Sequence, residues 1–378
     1  MIPYGRQTIE QDDVDAVVAA LKSDFLTQGP RVEQFEKELA KFCGAAHAVT
    51  FANGTLALLA SYHAAEIGPG TAFVTSPLTF AATVNAGLWL GASPSFADVE
   101  LADGNISLRT FKALPEHSKA RALVSVDFGG HPVDYEELAE ECRKNKQIFI
   151  SDACHSLGAR YLDKRIGSLA DMTVFSFHPV KSITTAEGGA VLTNHDDLAE
   201  RLRRFRHHGI EKTADYYQIT TLGLNGRLSD LQCALGFSQL QKLERFIEAR
   251  KRLAALYDTK LAGIAELATP PSNPLKESAW HLYWVRLTSP PLVQRRWEIV
   301  RELRARGIGA QVHYESLLRH PFYQKTLSGH CPNVDAFSNS VISLPIYPSL
   351  SSAEVETVCK TLLNVLRSAR TTVPIGSR

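Results

Sequence analysis

Lys181 is the residue whose surroundings most clearly suggest chemistry. It follows a short apolar run, residues 172–177, and a glycine pair, Gly188 and Gly189, comes shortly after it. The run is typical of a buried strand, so the lysine is expected on a loop at a strand end, where open α/β sheets bind their ligands. Burial among apolar groups lowers the pKa of a lysine amine, and the neutral amine is a nucleophile for aldehydes and ketones. A lone lysine is more often simply exposed, so the neighbouring motifs have to decide.

An acidic residue, Asp152, provides the second half of the pattern. It directly follows another apolar run, residues 148–150, which predicts that its carboxylate also lies at a strand end. A lysine and a carboxylate at two strand ends of one sheet suit pyridoxal phosphate, because the cofactor's aldehyde reacts with the lysine and the carboxylate keeps the ring nitrogen protonated. The sequence therefore favours a pyridoxal phosphate site.

A pyridoxal phosphate site also needs a phosphate pocket and flat surfaces against the ring. Asn53 is a good helix cap before an apolar run, and the free amides at the start of such a helix bind phosphate. Taken singly, a helix cap, a core aromatic ring or a buried histidine is the commoner use, but their joint order in the chain favours a site. The candidates are Gly54, Thr55 and Ser176 for the phosphate, Phe80 for one ring face and His155 for the other.

The composition excludes several other classes of protein. The chain has 378 residues, of which 44% are hydrophobic, enough for one large and one smaller domain. A net charge of +1 gives no indication of nucleic acid or an acidic membrane as partner. Six cysteines lie without CxxC spacing, which favours free thiols in a reducing compartment over disulfides or a metal site. No apolar stretch is long enough to span a bilayer, and the sequence predicts a cytoplasmic protein.

The elements that must position these residues alternate between strands and helices. That alternation predicts an α/β fold with a mostly parallel central sheet covered on both faces. A long amphipathic stretch, residues 227–261, is expected to be one helix that links two lobes. Beyond it the pattern predicts a smaller α+β unit, which includes a strand at residues 309–313. We therefore expect a large cofactor-binding domain, residues 1–240, whose N-terminal segment reaches the substrate site, and a small C-terminal domain, residues 241–378.

Several longer motifs give the chain a resemblance to a known family. In chain order they resemble the DegT/StrS-type sugar-nucleotide aminotransferases, which are fold-type-I pyridoxal phosphate enzymes. The resemblance spans nearly the whole chain, and it implies the fold-type-I architecture, a homodimer with a shared active site, and transamination of a keto sugar. The motifs are NGTLAL from Asn53, SPLTF ending at Phe80, DACHSLGA from Asp152, FSFHPVK ending at Lys181, TTAEGGAV from Thr184 and GLNGRLSDLQCALGFSQL from Gly223.

The resemblance implies a role for each candidate residue. Lys181 would bind pyridoxal phosphate covalently and shuttle a proton, and Asp152 would pair with the pyridine nitrogen. Relatives that remove a sugar hydroxyl carry histidine at the lysine position, so the lysine favours transamination. The remaining roles are the phosphate for Gly54, Thr55 and Ser176, the ring faces for Phe80 and His155, the phosphate of the neighbouring subunit for Asn225, and the sugar pocket for Tyr4, Gln28, His313 and Tyr314.

The substrate expectation rests on shorter phrases. Within the family, the resemblance is strongest to the members that aminate a UDP-linked 4-keto-6-deoxy-HexNAc sugar in the pseudaminic acid pathway, and it implies L-glutamate as the amino donor. The phrases include LTQGPR from Leu26, HLYWVRL from His281 and QVHYESLLRHPFY from Gln311. Ser316 stands where many relatives carry proline, so the sugar-side loop is expected to differ.

Other functions have to be weighed against this one. The nearest is the same chemistry on a different sugar nucleotide, such as a dTDP-linked 3-keto or 4-keto hexose. A second is a non-catalytic sugar-nucleotide-binding regulator, which the presence of both Lys181 and Asp152 disfavours. A dehydrogenase of the Rossmann type is excluded, because no GxGxxG motif opens a helix after the first strand.

Overall fold

The alternation of strands and helices is present in the computed structural model, which describes residues 1–371. Residues 372–378, part of the predicted small domain, lie outside the described residues. The elements up to residue 206 are, in chain order, α1 (Gln11–Leu21), α2 (Pro30–Cys43), β1 (His47–Phe51), α3 (Gly54–Ala64), β2 (Ala72–Thr75), α4 (Ala81–Trp89), β3 (Ser93–Phe96), α5 (Leu108–Lys112), β4 (Ala122–Val126), α6 (Tyr135–Lys144), β5 (Ile148–Asp152), β6 (Arg160–Tyr161), β7 (Lys164–Arg165), β8 (Met172–Ser176), β9 (Gly189–Thr193) and α7 (Asp196–Arg206).

The second part of the chain begins with a hairpin and continues with mostly helical segments around a small sheet. Its elements are, in order, β10 (Ile210–Lys212), β11 (Tyr217–Ile219), α8 (Asp230–Leu240), α9 (Leu243–Leu261), β12 (Leu267–Ala268), β13 (Lys276–Glu277), β14 (Tyr283–Leu287), α10 (Pro290–Gln294), α11 (Arg296–Ala305), α12 (Pro321–Gln324), α13 (Pro332–Ser340), β15 (Val341–Leu344) and α14 (Ser352–Thr371).

The large sheet has seven strands in the order β1-β9-β8-β5-β4-β2-β3. Strands β3, β2, β4, β5 and β8 pair in parallel, and β9 runs antiparallel to both of its neighbours, β8 and β1. The carboxyl ends of the parallel strands therefore meet at one edge. The expected α/β class with a mostly parallel central sheet is confirmed.

The central strands β4, β5 and β8 are almost entirely buried and mostly apolar, as expected for a sheet with helices on both faces. Alternate residues point to opposite faces: Leu123 and Phe149 belong to one buried cluster, and Val124 and Ile150 belong to another. Because both faces of these strands are buried, their sequences do not alternate between apolar and polar residues. No helix in residues 1–371 is long and apolar enough to cross a membrane.

A second core surrounds the small antiparallel sheet β12-β14-β15. Helix α9 contributes to both cores: Leu243 and Ile247 pack in the large one, whereas Leu253 and Tyr257 pack in the small one. The helix therefore connects the two units, as expected for this part of the chain. The boundary at residue 240 itself stays a prediction.

The prediction of one helix over residues 227–261 is wrong, because α8 and α9 are separate helices. Their junction at Lys242 is fixed from outside by α1: the Lys242 ammonium lies 2.7 Å from carboxylate oxygens of both Asp12 and Asp13. The buried Asp13 also accepts hydrogen bonds from the Ser238 hydroxyl and the Gln239 amide. Local apolar periodicity cannot predict these contacts, because they join segments that are distant in the sequence.

The predicted strand at residues 309–313 is also wrong. Within it, only Gln311 pairs with the small sheet, in an isolated bridge to Ser343, and the preceding residue, Ile308, forms an isolated bridge to Ile2. The Gly309 amide donates to the Ile2 carbonyl at 2.8 Å, so at this position the backbone pairs with the N-terminal segment and not with a strand of the sheet. The first residues of the chain therefore lie beside this segment.

Candidate active site

A cavity of about 790 Å³ opens at the carboxyl edge of the large sheet. The last residues of β4, β5 and β8, which are Val126, Asp152 and Ser176, all line it. Every predicted site residue except Gln28 and Asn225 lines the same cavity. Those residues are Tyr4, Gly54, Thr55, Phe80, Asp152, His155, Ser176, Lys181, His313 and Tyr314.

Lys181 lies on the loop between β8 and β9. The loop is closed at its base by the Phe177 amide, which donates to the Gly188 carbonyl at 2.8 Å, and by the Thr185 amide, which donates to the Phe177 carbonyl at 3.0 Å. The lysine is half-buried, and desolvation lowers its pKa, although the charges of Cys154 and Asp152 oppose the shift. The lowered pKa makes the neutral, nucleophilic amine more available than it is in a free lysine.

Asp152 is held in one orientation by hydrogen bonds to its carboxylate. The Thr83 hydroxyl donates to Oδ2 at 2.6 Å, and the Cys154 amide donates to Oδ1 at 3.3 Å. Thr83 is itself hydrogen-bonded to Thr79 at 2.8 Å, so α4 supports the carboxylate from behind. A buried, oriented carboxylate that lines a cavity can hold a protonated ring nitrogen.

The start of α3 forms a cradle for an anion. Asn53 caps the helix by accepting a hydrogen bond from the Leu56 amide at 2.9 Å, and the first residues of the helix, Gly54 and Thr55, line the cavity together with Ser176. A methyl group on Gly54 would lie 3.0 Å from Ser176 Cβ, and one on Gly189 would lie 2.8 Å from the Asn53 carbonyl. Close approach, rather than an unusual backbone angle, therefore requires glycine at position 189 and leaves little room for a side chain at position 54, and the cradle fits a phosphate.

Two imidazoles that pack against each other at a tilt form one wall of the cavity. The rings of His155 and His281 lie 4.3 Å apart between centroids, and His155 Nε2 lies 3.2 Å from the Tyr314 hydroxyl. Both imidazoles have pKa values well below the ordinary one, chiefly because of burial and also because of the Lys181 charge. They are therefore neutral flat surfaces. Phe80, 62% exposed at the start of α4, lies 6.3 Å from the Tyr314 ring on another side.

The remaining predicted sugar-pocket residues come from segments distant in the chain. The rings of Tyr4 and His313 lie 5.5 Å apart, and the Tyr4 carbonyl accepts a hydrogen bond from the Ile346 amide. His313 Nδ1 is 2.9 Å from the Ser343 hydroxyl, and burial lowers the pKa of this histidine to about 4. Ser316, the position where many relatives have proline, is buried just after this wall.

Gln28 and Asn225 do not line the cavity of this chain. Both are exposed, and they lie on neighbouring segments that are bridged between Thr27 and Ser229 and between Asn225 and His207. Asn225 was expected to act on the cavity of a neighbouring subunit, so its position is compatible with that role. The roles of both residues stay predictions.

Some cavity residues were missed by sequence reasoning. His281 is the clearest, because its ring packs against that of His155 although more than a hundred residues separate them. Its place at the head of the HLYWVRL run was noted, but nothing local showed that this strand begins beside the cavity. Cys154, with a pKa raised well above its ordinary value by burial and by the Asp152 charge, and Glu187 line the cavity as well.

The chain belongs to the DegT/DnrJ/EryC1/StrS aminotransferase family, whose model matches residues 7–363. It is an aminotransferase of fold type I. It is 37% identical over 374 residues to the UDP-4-amino-4,6-dideoxy-N-acetyl-beta-L-altrosamine transaminase of Campylobacter jejuni strain 81-176, covering 98% of this chain and 99% of that one. It is 34% identical to the Bacillus subtilis spore coat polysaccharide biosynthesis protein SpsC, covering 97% and 98%.

A solved structure shows the same architecture. Helicobacter pylori PseC, an aminotransferase involved in the biosynthesis of pseudoaminic acid, superposes with a TM-score of 0.93 at 34% sequence identity. The match covers 97% of this chain and 99% of that one. The predicted family and fold type are thereby confirmed.

Proposed function

We propose that the protein is a pyridoxal phosphate-dependent cytoplasmic enzyme that transfers the amino group of L-glutamate to a UDP-linked 4-keto-6-deoxy-HexNAc sugar, as in pseudaminic acid biosynthesis. The observation that carries the proposal is the meeting of Lys181, Asp152 and the α3 cradle in one cavity. A cavity of about 790 Å³ is also large enough for a cofactor with a sugar against it.

The residues around the cavity fit pyridoxal phosphate. The α3 amides with Thr55 and Ser176 would hold the phosphate, Asp152 would hold the ring nitrogen, and the neutral His155 wall would face the ring. When bound, the cofactor supplies an aldehyde that carries the amine and a ring that accepts electrons. Every other task falls to side chains of the protein.

Lys181 is the residue that moves protons. Its amine would accept the proton from the α-carbon of glutamate, and in the second half-reaction it would deliver a proton to C4 of the sugar. The depressed pKa of Lys181 suits both tasks, because the amine has to be neutral before it can accept a proton near neutral pH. Two half-reactions in one cavity predict ping-pong kinetics.

The sugar identity is supported by the relatives. The Campylobacter jejuni and Helicobacter pylori transaminases are both named for an amino-dideoxy-altrosamine nucleotide, at 37% and 36% identity. We would incubate the purified protein with glutamate and a panel of UDP- and dTDP-linked 3-keto and 4-keto sugars, and identify the products by mass and NMR. Amination of the UDP-4-keto-6-deoxy-HexNAc sugar alone is expected. Preference for a dTDP-linked hexose would overturn the substrate assignment and leave the aminotransferase assignment intact.

The regulator alternative is tested by cofactor binding. Purified protein with added pyridoxal phosphate should be yellow, and borohydride should bleach it while fixing the cofactor to the peptide that contains Lys181. A matched substitution of an exposed lysine, Lys164→Ala, should leave the labelled peptide unchanged. A colourless protein, or a label on another lysine, would contradict the proposal.

A shared dimeric site is supported by the exposed apolar surface near Asn225. Leu222 is 77% exposed, and Tyr216 and Ile219 of the β10–β11 hairpin are 70% and 69% exposed. Such a surface is typical of a subunit contact. If Asn225 acts across it, co-expressed Lys181→Ala and Asn225→Ala chains should form mixed dimers with one intact site and regain about a quarter of wild-type activity, since half of random dimers are mixed. No recovery despite mixed dimers would refute the shared site.

A further inference from the structure

We propose that Asp127 is a positioning residue that holds Asp152, His155 and His281 in place for the cofactor. The inference rests on the proposed function, because it concerns the geometry of the same cavity. Asp127 itself does not line the cavity. It lies directly after β4, behind the wall that the cofactor would contact.

The Asp127 carboxylate is fully buried and accepts hydrogen bonds on both oxygens. Oδ1 accepts from the Val133 amide at 3.0 Å. Oδ2 accepts from the Tyr135 hydroxyl at 2.7 Å and from the Ser156 hydroxyl at 2.5 Å. These donors fix the orientation of the carboxylate, so it can act as a rigid anchor for the segments that carry them.

Those donors hold both ends of the segment that contains the site residues. Tyr135 hydrogen-bonds Ser151, the neighbour of Asp152, at 2.7 Å. Ser156 is the neighbour of His155, and the Asp127 amide donates to the Asp152 carbonyl at 3.2 Å. One buried carboxylate thereby connects to the residues on either side of Asp152 and His155.

The same turn also holds the second imidazole. The carbonyls of Gly129 and Gly130 accept hydrogen bonds from the amides of Leu282 and Ala279, each at 3.0 Å, and these two amides flank His281. A methyl group on Gly130 would lie 2.8 Å from the His155 carbonyl, so the two walls are in close contact. Moving the turn would therefore move both imidazoles.

Burying a charged carboxylate to hold a turn lowers the stability of the fold. Burial raises the pKa of Asp127 to about 6 even though three donors stabilise its charged form, so the carboxylate is ionised at neutral pH at a cost in stability. Its hydrogen bonds converge on the segment that carries Asp152 and His155. That convergence is what a positioning role requires, and a purely structural role does not require it.

The test compares Asp127→Ala with Asp13→Ala in otherwise complete protein. Asp13 is also a fully buried carboxylate that accepts a serine hydroxyl, but it lies at the α1–α8 contact and does not line the cavity. We would measure pyridoxal phosphate affinity by fluorescence titration, the visible circular dichroism of the bound cofactor, and kcat and KM separately. Asp127→Ala should raise the dissociation constant about tenfold or more, weaken the visible dichroism and lower kcat with little change in sugar KM. Asp13→Ala should change none of these.

The outcomes separate this inference from the proposed function. If wild-type protein binds no pyridoxal phosphate, the proposed function fails; if it binds normally and the two variants behave alike, only the role of Asp127 fails. Should Asp127→Ala not fold, Tyr135→Phe and Ser156→Ala each remove one donor to the carboxylate. Each should raise the cofactor dissociation constant by a smaller factor, and an unchanged value in both would refute the role.

Discussion

The two halves of the cavity are built in different ways. On the side proposed for the cofactor, Asp152 and Ser176 are the last residues of adjacent strands, and the cradle is the first turn of a helix. On the side proposed for the sugar, Tyr4 comes from the N-terminal segment and His313 from a stretch without regular secondary structure. Under the proposed function, the sheet edge would bind an unchanging cofactor, whereas the part that would have to match a substrate is formed by irregular segments.

The difference between the two sides predicts which substitutions should affect both half-reactions and which should affect only the half-reaction with the sugar. Changes at the sheet edge should reduce both half-reactions, because both need the cofactor. Changes on the sugar side should act mainly on the second half-reaction and leave the reaction with glutamate nearly intact.

The largest effect is expected for Lys181→Ala. If Lys181 carries the proton in both half-reactions, as proposed, each single-turnover rate should fall about a thousandfold or more. Stopped-flow absorbance with glutamate, and separately with the keto sugar, measures them. The exposed Lys164→Ala variant is the control. A variant that retained either half-reaction near the wild-type rate would show that Lys181 does not carry the proton in that half-reaction.

Asp152→Asn should lower the rates of both half-reactions equally, but by less than Lys181→Ala. A neutral amide no longer holds a proton on the ring nitrogen, so both half-reactions should slow about a hundredfold. The Thr83 hydroxyl can still donate to the amide oxygen, which keeps the side chain in place. The same stopped-flow assay applies. A loss confined to the sugar half-reaction would show that this residue has been placed on the wrong side.

His313→Ala should separate the two halves. The KM for the sugar nucleotide should rise about tenfold, the effect of one lost hydrogen bond, whereas the half-reaction with glutamate and the cofactor affinity should change little. Steady-state kinetics at varied sugar concentration measures the KM, and titration with pyridoxal phosphate measures the cofactor affinity. Ser343→Ala, which removes only the hydroxyl beside His313 Nδ1, should give a weaker effect of the same kind.

The smallest effect concerns stability behind the cofactor side. The pKa of Asp127 is raised to about 6 in the folded protein, above its unfolded value, so the folded state binds more protons between about pH 4 and 6. This group therefore makes the free energy of unfolding fall as pH rises through that interval, by about 1–3 kcal/mol, and it has no further effect above it. Asp127→Asn should lack this component.

Urea unfolding of the cofactor-free protein at several pH values measures the difference between wild type and Asp127→Asn. The comparison is needed because His131, whose pKa burial lowers to about 4, contributes a slope of opposite sign that is present in both proteins. A wild-type minus variant difference that stays constant between pH 4 and 6 would contradict the raised pKa of Asp127.

The cofactor side was accessible to sequence reasoning because its signals are local. Asp152 ends its own strand, Asn53 precedes its own helix, and Lys181 stands between two apolar runs. Each of these patterns fits within a few residues, so periodicity and capping rules were enough to place them.

The errors arose where distant segments decide the structure. The break between α8 and α9 depends on carboxylates of α1, and the lost strand at residues 309–313 depends on Ile2. His281 reaches the cavity through contacts with the turn after Asp127, which no local pattern encodes. The short β10–β11 hairpin was not predicted, and its apolar residues Tyr216 and Ile219 are largely exposed in the single chain.

The contact of Arg250 with the active-site wall has a consequence for how the sequence can vary. Its guanidinium is fully buried, and Nη1 reaches the carbonyls of Trp280 at 3.2 Å, His281 at 3.5 Å and Ile346 at 2.9 Å. Every amino acid has a main-chain carbonyl, so replacement of these three residues leaves the partners of the arginine in place. The hydrogen bonds that connect α9 to residues 280–281 and to residue 346 can therefore persist when those residues are substituted. Substitution of Arg250 itself would remove them.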